Sequence, residues 1–174
     1  RIAYDLILQA ETGFMSINGE ADQGPLKMPV ALIDVLAAHH LKEGLLLALL
    51  SKEARTINVS LYDAAVSSLM NQASNYLMTN EKPKRQGNLH PNIAPYGEIF
   101  LTKNKNNVTF AIGSDKHFRL LCELLGNPKL MQSEAYKTNQ LRVKNRGALA
   151  EELNTLVSEI STETLLSACL NNGI

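Results

Sequence analysis

The chain of 174 residues has no tryptophan, only two cysteines, no net charge and no long hydrophobic run. Its 17 basic residues are matched by 17 acidic ones, so it lacks the basic excess of nucleic-acid-binding proteins, and we expect no nucleic-acid partner. Cys122 and Cys169 are too few for a disulfide-stapled secreted module and form no CxxC motif. We therefore predict two buried thiols and a cytoplasmic protein.

Membrane and metal signatures are also absent from the sequence. The longest apolar run, Leu45 to Leu50, is far shorter than the ~18 residues that a membrane span needs, and no signal peptide is recognisable. His39 and His40 are adjacent, so on a helix they point about 100° apart and cannot chelate one ion together. No glycine-rich phosphate loop and no GxSxG motif occurs. We expect no membrane contact, no metal and no permanently bound cofactor.

Helical patterns dominate the first part of the chain. Apolar spacing predicts a helix over residues 4–18 that ends near Gly13, followed by a Gly/Pro-rich loop over 19–29. A long helix follows to about Lys52 and is apolar on most faces, which predicts burial. Residues 56–61 alternate and are β-branched, so they predict a short strand or an extended segment. Residues 61–78 predict a second long helix.

A polar, proline-rich stretch over residues 80–97 separates this part from a different pattern. Residues 98–102 and 107–112 alternate around an Asn/Lys turn, which predicts a β-hairpin. Ser114 then predicts the cap of a helix that ends at Gly126, and two more helices are predicted over 139–159 and 161–171. We therefore divide the chain into a helical part (1–79), a connector (80–97) and a small α/β domain (98–174).

Asp34 is the one carboxylate in the apolar run from Val30 to Ala38. Burial of an isolated charge is costly, so this residue needs a reason. One interpretation is an N-cap of a helix that begins at Val35. The other is a nucleophilic carboxylate held at the positive end of a helix. The two interpretations share one geometry and do not exclude each other.

The stretch from Gly87 to Tyr96 (GNLHPNIAPY) is unusual for a simple linker. Two prolines restrict its backbone, while Asn88, His90, Asn92 and Tyr96 offer polar groups. It is either a structured turn, with His90 hydrogen-bonded to backbone, or a substrate-facing loop.

Several motifs together resemble one known family. The most specific are GNLHPNIAPY at 87–96 and TNQLRVKNR at 138–146, and the match runs in order across essentially the whole chain. Further matches are Tyr4-Asp5, Gly13-Phe14-Met15-Ser16, Asp34 after Val30-Ala31-Leu32, and the stretches 59–65 and 71–77. The chain is identified as a member of the class III coenzyme A transferases, the family of formyl-CoA transferase, carnitine CoA-transferase and α-methylacyl-CoA racemase.

The resemblance implies an α/β fold. Part of a Rossmann-like large domain, mostly helices here, would be followed by a small α+β domain with an antiparallel hairpin. Family members are interlocked homodimers and more than twice this length, so the resemblance implies a central fragment. It also implies transfer of coenzyme A from an acyl-CoA thioester to a free carboxylic acid. The CoA thioester is then a substrate, and no cofactor is required.

The resemblance also implies roles for single residues. Asp34 matches the catalytic aspartate, which would pass through an aspartyl-CoA intermediate. Tyr4 stands where the racemases carry a histidine, and Leu61 where formyl-CoA transferase contacts the acyl-CoA arm. Gly113 and Ser114 fall where that enzyme has a mobile run of glycines, and the single glycine here argues against such a lid. Contacts to CoA or substrate are further implied for Asp5, Asn88, His90, Asn92 and Tyr96.

Two alternatives to a CoA-transferase stay open on sequence grounds. The first is an α-methylacyl-CoA racemase or epimerase, but a phenol with a pKa of about 10 is a poor base at neutral pH, so Tyr4 argues against it. The second is a non-catalytic, truncated remnant of the family. It is motivated by the short segment at 53–56, where the family carries a Thr-Gly-x-Gly-Gln turn. Acceptors such as succinate or glutarate fit the details best.

Overall fold

Residues 2–174, the part of the chain that this computed structural model describes, form nine α-helices, one 3-10 helix and a two-stranded sheet. These elements make two compact units, Arg1–Gly87 and Asn88–Ile174. The division lies inside the stretch that we predicted as a connector, residues 80–97.

The first unit is entirely helical in its described residues. Its helices are α1 (Asp5–Glu11), α2 (Phe14–Ile17), α3 (Leu32–Ser51), α4 (Leu61–Ser67) and α5 (Met70–Thr79). Gly13, with φ of 94°, separates α1 from α2, because this left-handed conformation ends a helix and is open to glycine at little cost. The predicted helix over residues 4–18 is therefore broken where the glycine stands.

The long helix α3 confirms the predicted element but not the predicted start. Its N-cap is Ala31, and Asp34 lies within the first turn, so the expectation of Asp34 as an N-cap residue was wrong. The reason lies outside the local sequence. The carboxylate of Asp5 in α1 accepts the N–H of Ile33 at 2.8 Å and does the work of a cap side chain from another helix.

Burial of α3 is also less than its composition predicts. The helix packs against α4 and α1, and only Ile33 and Ala37 are fully buried. Six of its leucines are exposed: Leu41, Leu45, Leu46, Leu47, Leu49 and Leu50. The hydrophobic centre of the first unit is correspondingly small and consists of Leu8, Ile33 and Ala65, with Ala3, Phe14 and Leu61 against it.

Two further predictions for the first unit differ from the structure. Residues 56–60 belong to no helix or strand, because no described segment of the chain pairs with them, so the strand alternative was wrong. Their last residue, Ser60, caps α4 by accepting the N–H of Asp63 at 3.1 Å. The single helix predicted over 61–78 is two helices, since α4 ends at Ser67 and α5 begins at Met70.

The second unit confirms the predicted hairpin. Strands β1 (Tyr96–Leu101) and β2 (Asn107–Ala111) pair antiparallel, with Phe100 opposite Val108 and an irregularity between Tyr96 and Ile99. The helices are α6 (Asp115–Leu124), a 3-10 helix (Pro128–Gln132), α7 (Asn139–Lys144), α8 (Arg146–Val157) and α9 (Thr162–Asn172). The single helix predicted over residues 139–159 is two helices, because α7 ends and α8 begins on either side of Asn145.

A closed hydrophobic core lies beneath the hairpin. The Phe100 and Phe110 rings are 5.4 Å apart, and α6, α8 and α9 supply most of the remaining side chains. Cys122 and Cys169 are free and buried, as predicted, and burial raises the pKa of the Cys122 thiol to about 11. The fully buried members include Ile112, Phe118, Leu121, Leu153 and Val157. The fold class is therefore α/β, mostly helical, with a small antiparallel sheet.

Candidate active site

Asp34 is the third residue of α3, and its side chain is exposed. The first turn of a helix presents unpaired N–H groups and the positive end of the helix dipole, so it favours a carboxylate there. An exposed carboxylate at this place is accessible to an electrophile. No group in the described chain shields it from solvent.

A hydrogen-bond network fixes the backbone next to Asp34. The Asp5 carboxylate accepts the Ile33 N–H through Oδ1 at 2.8 Å, and through Oδ2 it accepts the side-chain amide of Gln9 at 2.5 Å. The Gln9 carbonyl oxygen in turn accepts the N–H of Met28 at 2.8 Å. Both α1 residues thus hold the segment that leads into α3. The resemblance links Asp5 to substrate, but both of its carboxylate oxygens accept hydrogen bonds within this network.

Leu61 and Tyr4 both belong to the first unit but have different surroundings. Leu61 is half-buried against the Leu8 and Ile33 cluster and lines a surface cavity of about 570 Å³ together with Val59 and Ser60. That volume is in the range of small-molecule sites. Tyr4 is 80% exposed, and its backbone carbonyl accepts the N–H groups of Ile7 and Leu8 at the start of α1.

In the second unit, the loop before β1 is held by side chains of α7 and α8. Asn139 Nδ2 donates to the Asn92 carbonyl at 2.7 Å, and its Oδ1 accepts the Ala94 N–H at 3.2 Å. Arg142 Nε donates to the Ala94 carbonyl at 2.9 Å. Arg146 Nη2 donates to the carbonyls of His90 at 2.6 Å and Ile93. The two most specific motifs of the sequence therefore bind each other.

The His90 ring is hydrogen-bonded to the backbone, as expected if the loop is a structured turn. Its Nδ1 accepts the N–H of Asn92 at 3.1 Å, and its ring lies 5.0 Å from that of Tyr96. Partial burial, followed by the nearby positive charge of Arg146, lowers the pKa of His90. The neutral imidazole is thus favoured, and its Nε2 remains available as a donor.

The remaining predicted residues of the second unit lie at the edges of this loop and the hairpin. Asn88 is exposed and, with Ile99 and Thr109, lines a cavity of about 360 Å³. Gly113 is exposed with open space around its Cα. Ser114 caps α6, as predicted, by accepting the His117 N–H at 3.2 Å. The roles that the resemblance gives these residues stay predictions.

In each unit, the candidate residues are supported by side chains to which the sequence analysis gave no such role. Gln9 is 1% exposed and follows Asp5 by four positions, one helical turn, which is the signal that could have found it. Asn139, Arg142 and Arg146 recur at spacings of three and four, the pattern of one helix face. They were visible as a motif but not as the support of the loop.

The described residues contain neither a metal-binding cluster nor a membrane-spanning helix. Between residues 2 and 174, no group of histidine, cysteine, aspartate and glutamate side chains is arranged to hold a metal ion. No helix in that range has the length and apolar character needed to cross a bilayer.

Comparison with known sequences gives consistent matches over the whole chain. The closely related curated proteins include a succinate–glutarate CoA-transferase of Agrobacterium fabrum, 36% identical over 98% of this chain and 43% of its own length. A succinyl-CoA:glutarate CoA-transferase of Mus musculus is 34% identical over 100% of this chain and 40% of its own length. The chain thus spans less than half the length of these relatives.

Solved structures agree with the fold. A CAIB/BAIF family protein from Brucella suis is 33% identical and superimposes with a TM-score of 0.68, covering 100% of this chain and 47% of its own. A hypothetical protein from Mycobacterium tuberculosis, 24% identical, reaches 0.78 over 99% of this chain and 46% of its own and supports the fold alone. The sequence model of CoA-transferase family III matches residues 1–174. The chain belongs to CoA-transferase family III.

Proposed function

We propose that this chain carries the nucleophile of a CoA-transferase, which moves coenzyme A from an acyl-CoA thioester to a free carboxylic acid. The observation that carries the proposal is the exposed Asp34 carboxylate in the first turn of α3, beside a backbone held by Asp5. Asp34 acts as the nucleophile, and the aspartyl-CoA thioester is the intermediate.

The reaction splits one exchange into two pairs of balanced steps. An Asp34 oxygen attacks the thioester carbonyl, the C–S bond breaks, and CoA thiolate leaves as a mixed anhydride forms. The thiolate then attacks the Asp34 carbonyl carbon and releases the donor acid as a carboxylate. This leaves the aspartyl-CoA thioester. The acceptor carboxylate repeats the two steps in reverse and leaves with CoA, which returns Asp34 to its free carboxylate.

Each step places negative charge on a carbonyl oxygen next to Asp34. Donors aimed at such an oxyanion are worth about 10²–10³ in rate. The N–H of Ile33 is bound by Asp5 and that of Leu32 by the Val30 carbonyl, so the contribution that we propose for this unit is the positive end of the α3 dipole. One bond breaks as a similar bond forms, so the exchange needs neither ATP nor a redox partner.

The acceptor is proposed to be a dicarboxylic acid. The support is the names of the related proteins, which include transferases for glutarate, mesaconate and oxalate. His90, Asn92 and Tyr96 lie between the start of the second unit and the start of β1. They offer a neutral imidazole, an amide and a phenol, and such groups suit a carboxylate of an acid substrate. We further propose that the full-length protein is a homodimer.

The test uses the full-length protein with succinyl-CoA and glutarate. Wild type is expected to transfer CoA and, when hydroxylamine is added after incubation with succinyl-CoA, to give a hydroxamate on Asp34 that peptide mass spectrometry detects. Asp34→Ala is expected to lose at least about 10³-fold in kcat, in the range seen when a covalent nucleophile is removed. Asp63→Ala, the matched first-turn aspartate of α4, is the control and keeps its activity.

Two results contradict the proposal. One is full activity of Asp34→Ala. The other is exchange of the α-proton of an acyl-CoA with deuterium in the absence of any acceptor acid, because that is the reaction of a racemase. Analytical ultracentrifugation of the same full-length protein tests the homodimer, and a monomer at micromolar concentration rejects it.

A further inference from the structure

We infer that Gln9 is a positioning residue for Asp34: its side-chain amide holds both the Asp5 cap and the segment that enters α3, and so sets the direction of the nucleophile. The inference rests on the proposed function of Asp34. It assigns to Gln9, a residue one helical turn after Asp5, a part in catalysis without contact to substrate.

Gln9 is a polar side chain with 1% exposure, so its amide must find partners inside the protein. Its Nε2 donates to Asp5 Oδ2 at 2.5 Å, and its Oε1 accepts the Met28 N–H at 2.8 Å. Nε2 also lies 3.5 Å from the Val30 carbonyl. A single planar group therefore joins α1 to two points of the segment just before α3.

The link from Gln9 to Asp34 is short. The Asp5 carboxylate that Gln9 orients accepts the N–H of Ile33 at 2.8 Å, and Ile33 is the residue directly before Asp34. The cap residue Ala31 has no polar side chain, so this contact is the side-chain cap of α3. If Asp5 rotates away, the first turn of α3 loses its side-chain acceptor, and the Asp34 carboxylate shifts with the backbone.

Packing alone does not explain the amide. A buried apolar side chain of similar length would fill the same space without the cost of burying two polar atoms. Glutamine provides a donor for a carboxylate and an acceptor for a backbone N–H at once, and the two neighbours require this combination. The charge of Asp5 makes the first of these bonds a strong one.

The test compares full-length wild type with Gln9→Met, which keeps the length of the side chain and removes both hydrogen bonds. A displacement of about 1 Å at a nucleophile costs about 10²-fold in rate, so kcat and the rate of hydroxamate formation on Asp34 are expected to fall by about 10–100-fold. Because Gln9 touches no substrate, KM for the acyl-CoA is expected to change by less than about 3-fold.

A second variant tests the hydrogen bond itself. Gln9→Glu keeps the acceptor for Met28 but faces the Asp5 carboxylate with a second carboxylate. Two carboxylates at hydrogen-bond distance retain one proton as the pH falls, and this proton restores a donor to Asp5. The activity of Gln9→Glu relative to wild type is therefore expected to rise by about 10-fold from about pH 8 to about pH 5.5. A merely structural substitution gives a constant ratio.

Thr12→Val is the matched control on the same helix. Thr12 is also buried, but its hydroxyl donates to the Leu8 carbonyl of its own helix at 2.7 Å and not towards α3. Its kcat and its hydroxamate rate are expected to stay within about 2-fold of wild type. If Gln9→Met does not fold, the pH dependence of Gln9→Glu still tests the positioning role of Gln9.

The outcomes separate the two proposals. If wild type forms the Asp34 hydroxamate and Gln9→Met forms it equally fast, or if the Gln9→Glu ratio is independent of pH, the positioning role is overturned while the nucleophile stands. If wild type forms no hydroxamate on Asp34, both proposals are overturned. A slow hydroxamate reaction in Gln9→Met, with KM preserved and a rising ratio for Gln9→Glu, supports the inference.

Discussion

Arg142 brings a full positive charge into the interior of the second unit, where its side chain is 0% exposed. Nε donates to the Ala94 carbonyl at 2.9 Å and Nη1 to the Tyr136 carbonyl at 3.1 Å. Nη2 donates to Asp115 at 2.6 Å, and the guanidinium lies 4.4 Å from the centre of the Phe118 ring. Three segments of chain meet on one side chain, and only a planar fork of donors satisfies them together.

Replacement of Arg142 by methionine is expected to lower the free energy of unfolding by about 2–5 kcal/mol, because two buried carbonyl groups lose their donors. The Asp115 contact contributes little, since that carboxylate is 56% exposed. Urea denaturation followed by circular dichroism measures the change. Arg119→Met is the control, because Arg119 forms only an exposed ion pair with Glu123 at 3.9 Å. Equal stabilities of the two variants would contradict this account.

His90 is expected to make the protein less stable as the pH falls. Burial and the charge of Arg146 lower its pKa in the folded state, while in the unfolded chain the imidazole titrates near 6.5. Below pH 6.5 the unfolded state therefore binds more protons, and the stability decreases until the pH reaches the lower folded pKa. Above that window the imidazole is neutral in both states and contributes no pH dependence.

The variant His90→Asn removes this titration and keeps an oxygen that can accept the Asn92 N–H. Its stability is expected to fall less steeply than that of wild type between about pH 7 and pH 5, with a constant difference above about pH 7.5. Urea midpoints at half-unit pH intervals measure both curves. Parallel curves through the acid range would show that His90 is not the titrating group.

At the scale of elements, Gly97 is the second residue of β1 and lies in the irregular part of the hairpin, between Tyr96 and Ile99. Its φ is 93°, and a Cβ added there would meet the backbone carbonyl of Asn88. Gly97→Ala is therefore expected to destabilise the protein by about 2–4 kcal/mol, through backbone strain and displacement of the loop. Gly147→Ala in α8 is the control, because its added Cβ meets nothing within 4 Å, and it is expected to be neutral or slightly stabilising. Thermal melts of both variants distinguish the two sites.

Sequence patterns were reliable for elements with local signals. The hairpin was predicted from alternation and an Asn/Lys turn, and Ser114 was predicted as the cap of the helix that follows it. The start of α3 was not predictable in this way, since its cap comes from Asp5, far away in the sequence. Residues 56–60 form no strand for a related reason: β-branched residues favour a strand only where a neighbour pairs with them.

The residues of the candidate site also differ in whether a local sequence signal reveals them. Asp34 was predictable because one carboxylate in an apolar run is conspicuous, and the family resemblance supplied its proposed role. Gln9 was not, because a glutamine on a helix is usually exposed, and only its 1% exposure and its partners in the folded chain reveal a purpose. Long-range hydrogen bonds of buried amides leave no periodic trace in the sequence.

The two units of the molecule differ in how far each completes its own core. All fourteen buried residues of the larger core, from Phe100 to Cys169, lie within Asn88–Ile174. The first unit has a buried cluster of only Leu8, Ile33 and Ala65, while α3 exposes its leucines. Folding needs enough buried apolar area to offset chain entropy, and only the second unit provides it from its own residues.

Residues 88–174 expressed alone are therefore expected to fold cooperatively, with a sharp urea transition and dispersed amide resonances. Residues 1–87 alone are expected to be loosely packed, to bind the dye ANS and to self-associate, because exposed leucines on a helix promote contact. The variant Leu46→Lys, Leu50→Lys of residues 1–87 is expected to lower the self-association measured by light scattering. A non-cooperative 88–174 would reject this view of the cores.

The side chains that hold the loop before β1 bind mostly its carbonyl oxygens, those of His90, Asn92, Ile93 and Ala94. Every amino acid carries such an oxygen, so the path of the loop depends little on which side chains it displays. Mutation can thus exchange side chains of this loop while the bonds to its carbonyl oxygens are kept. Because support and display are separate, a lineage could change the side chains that this loop presents one at a time while each variant remains folded.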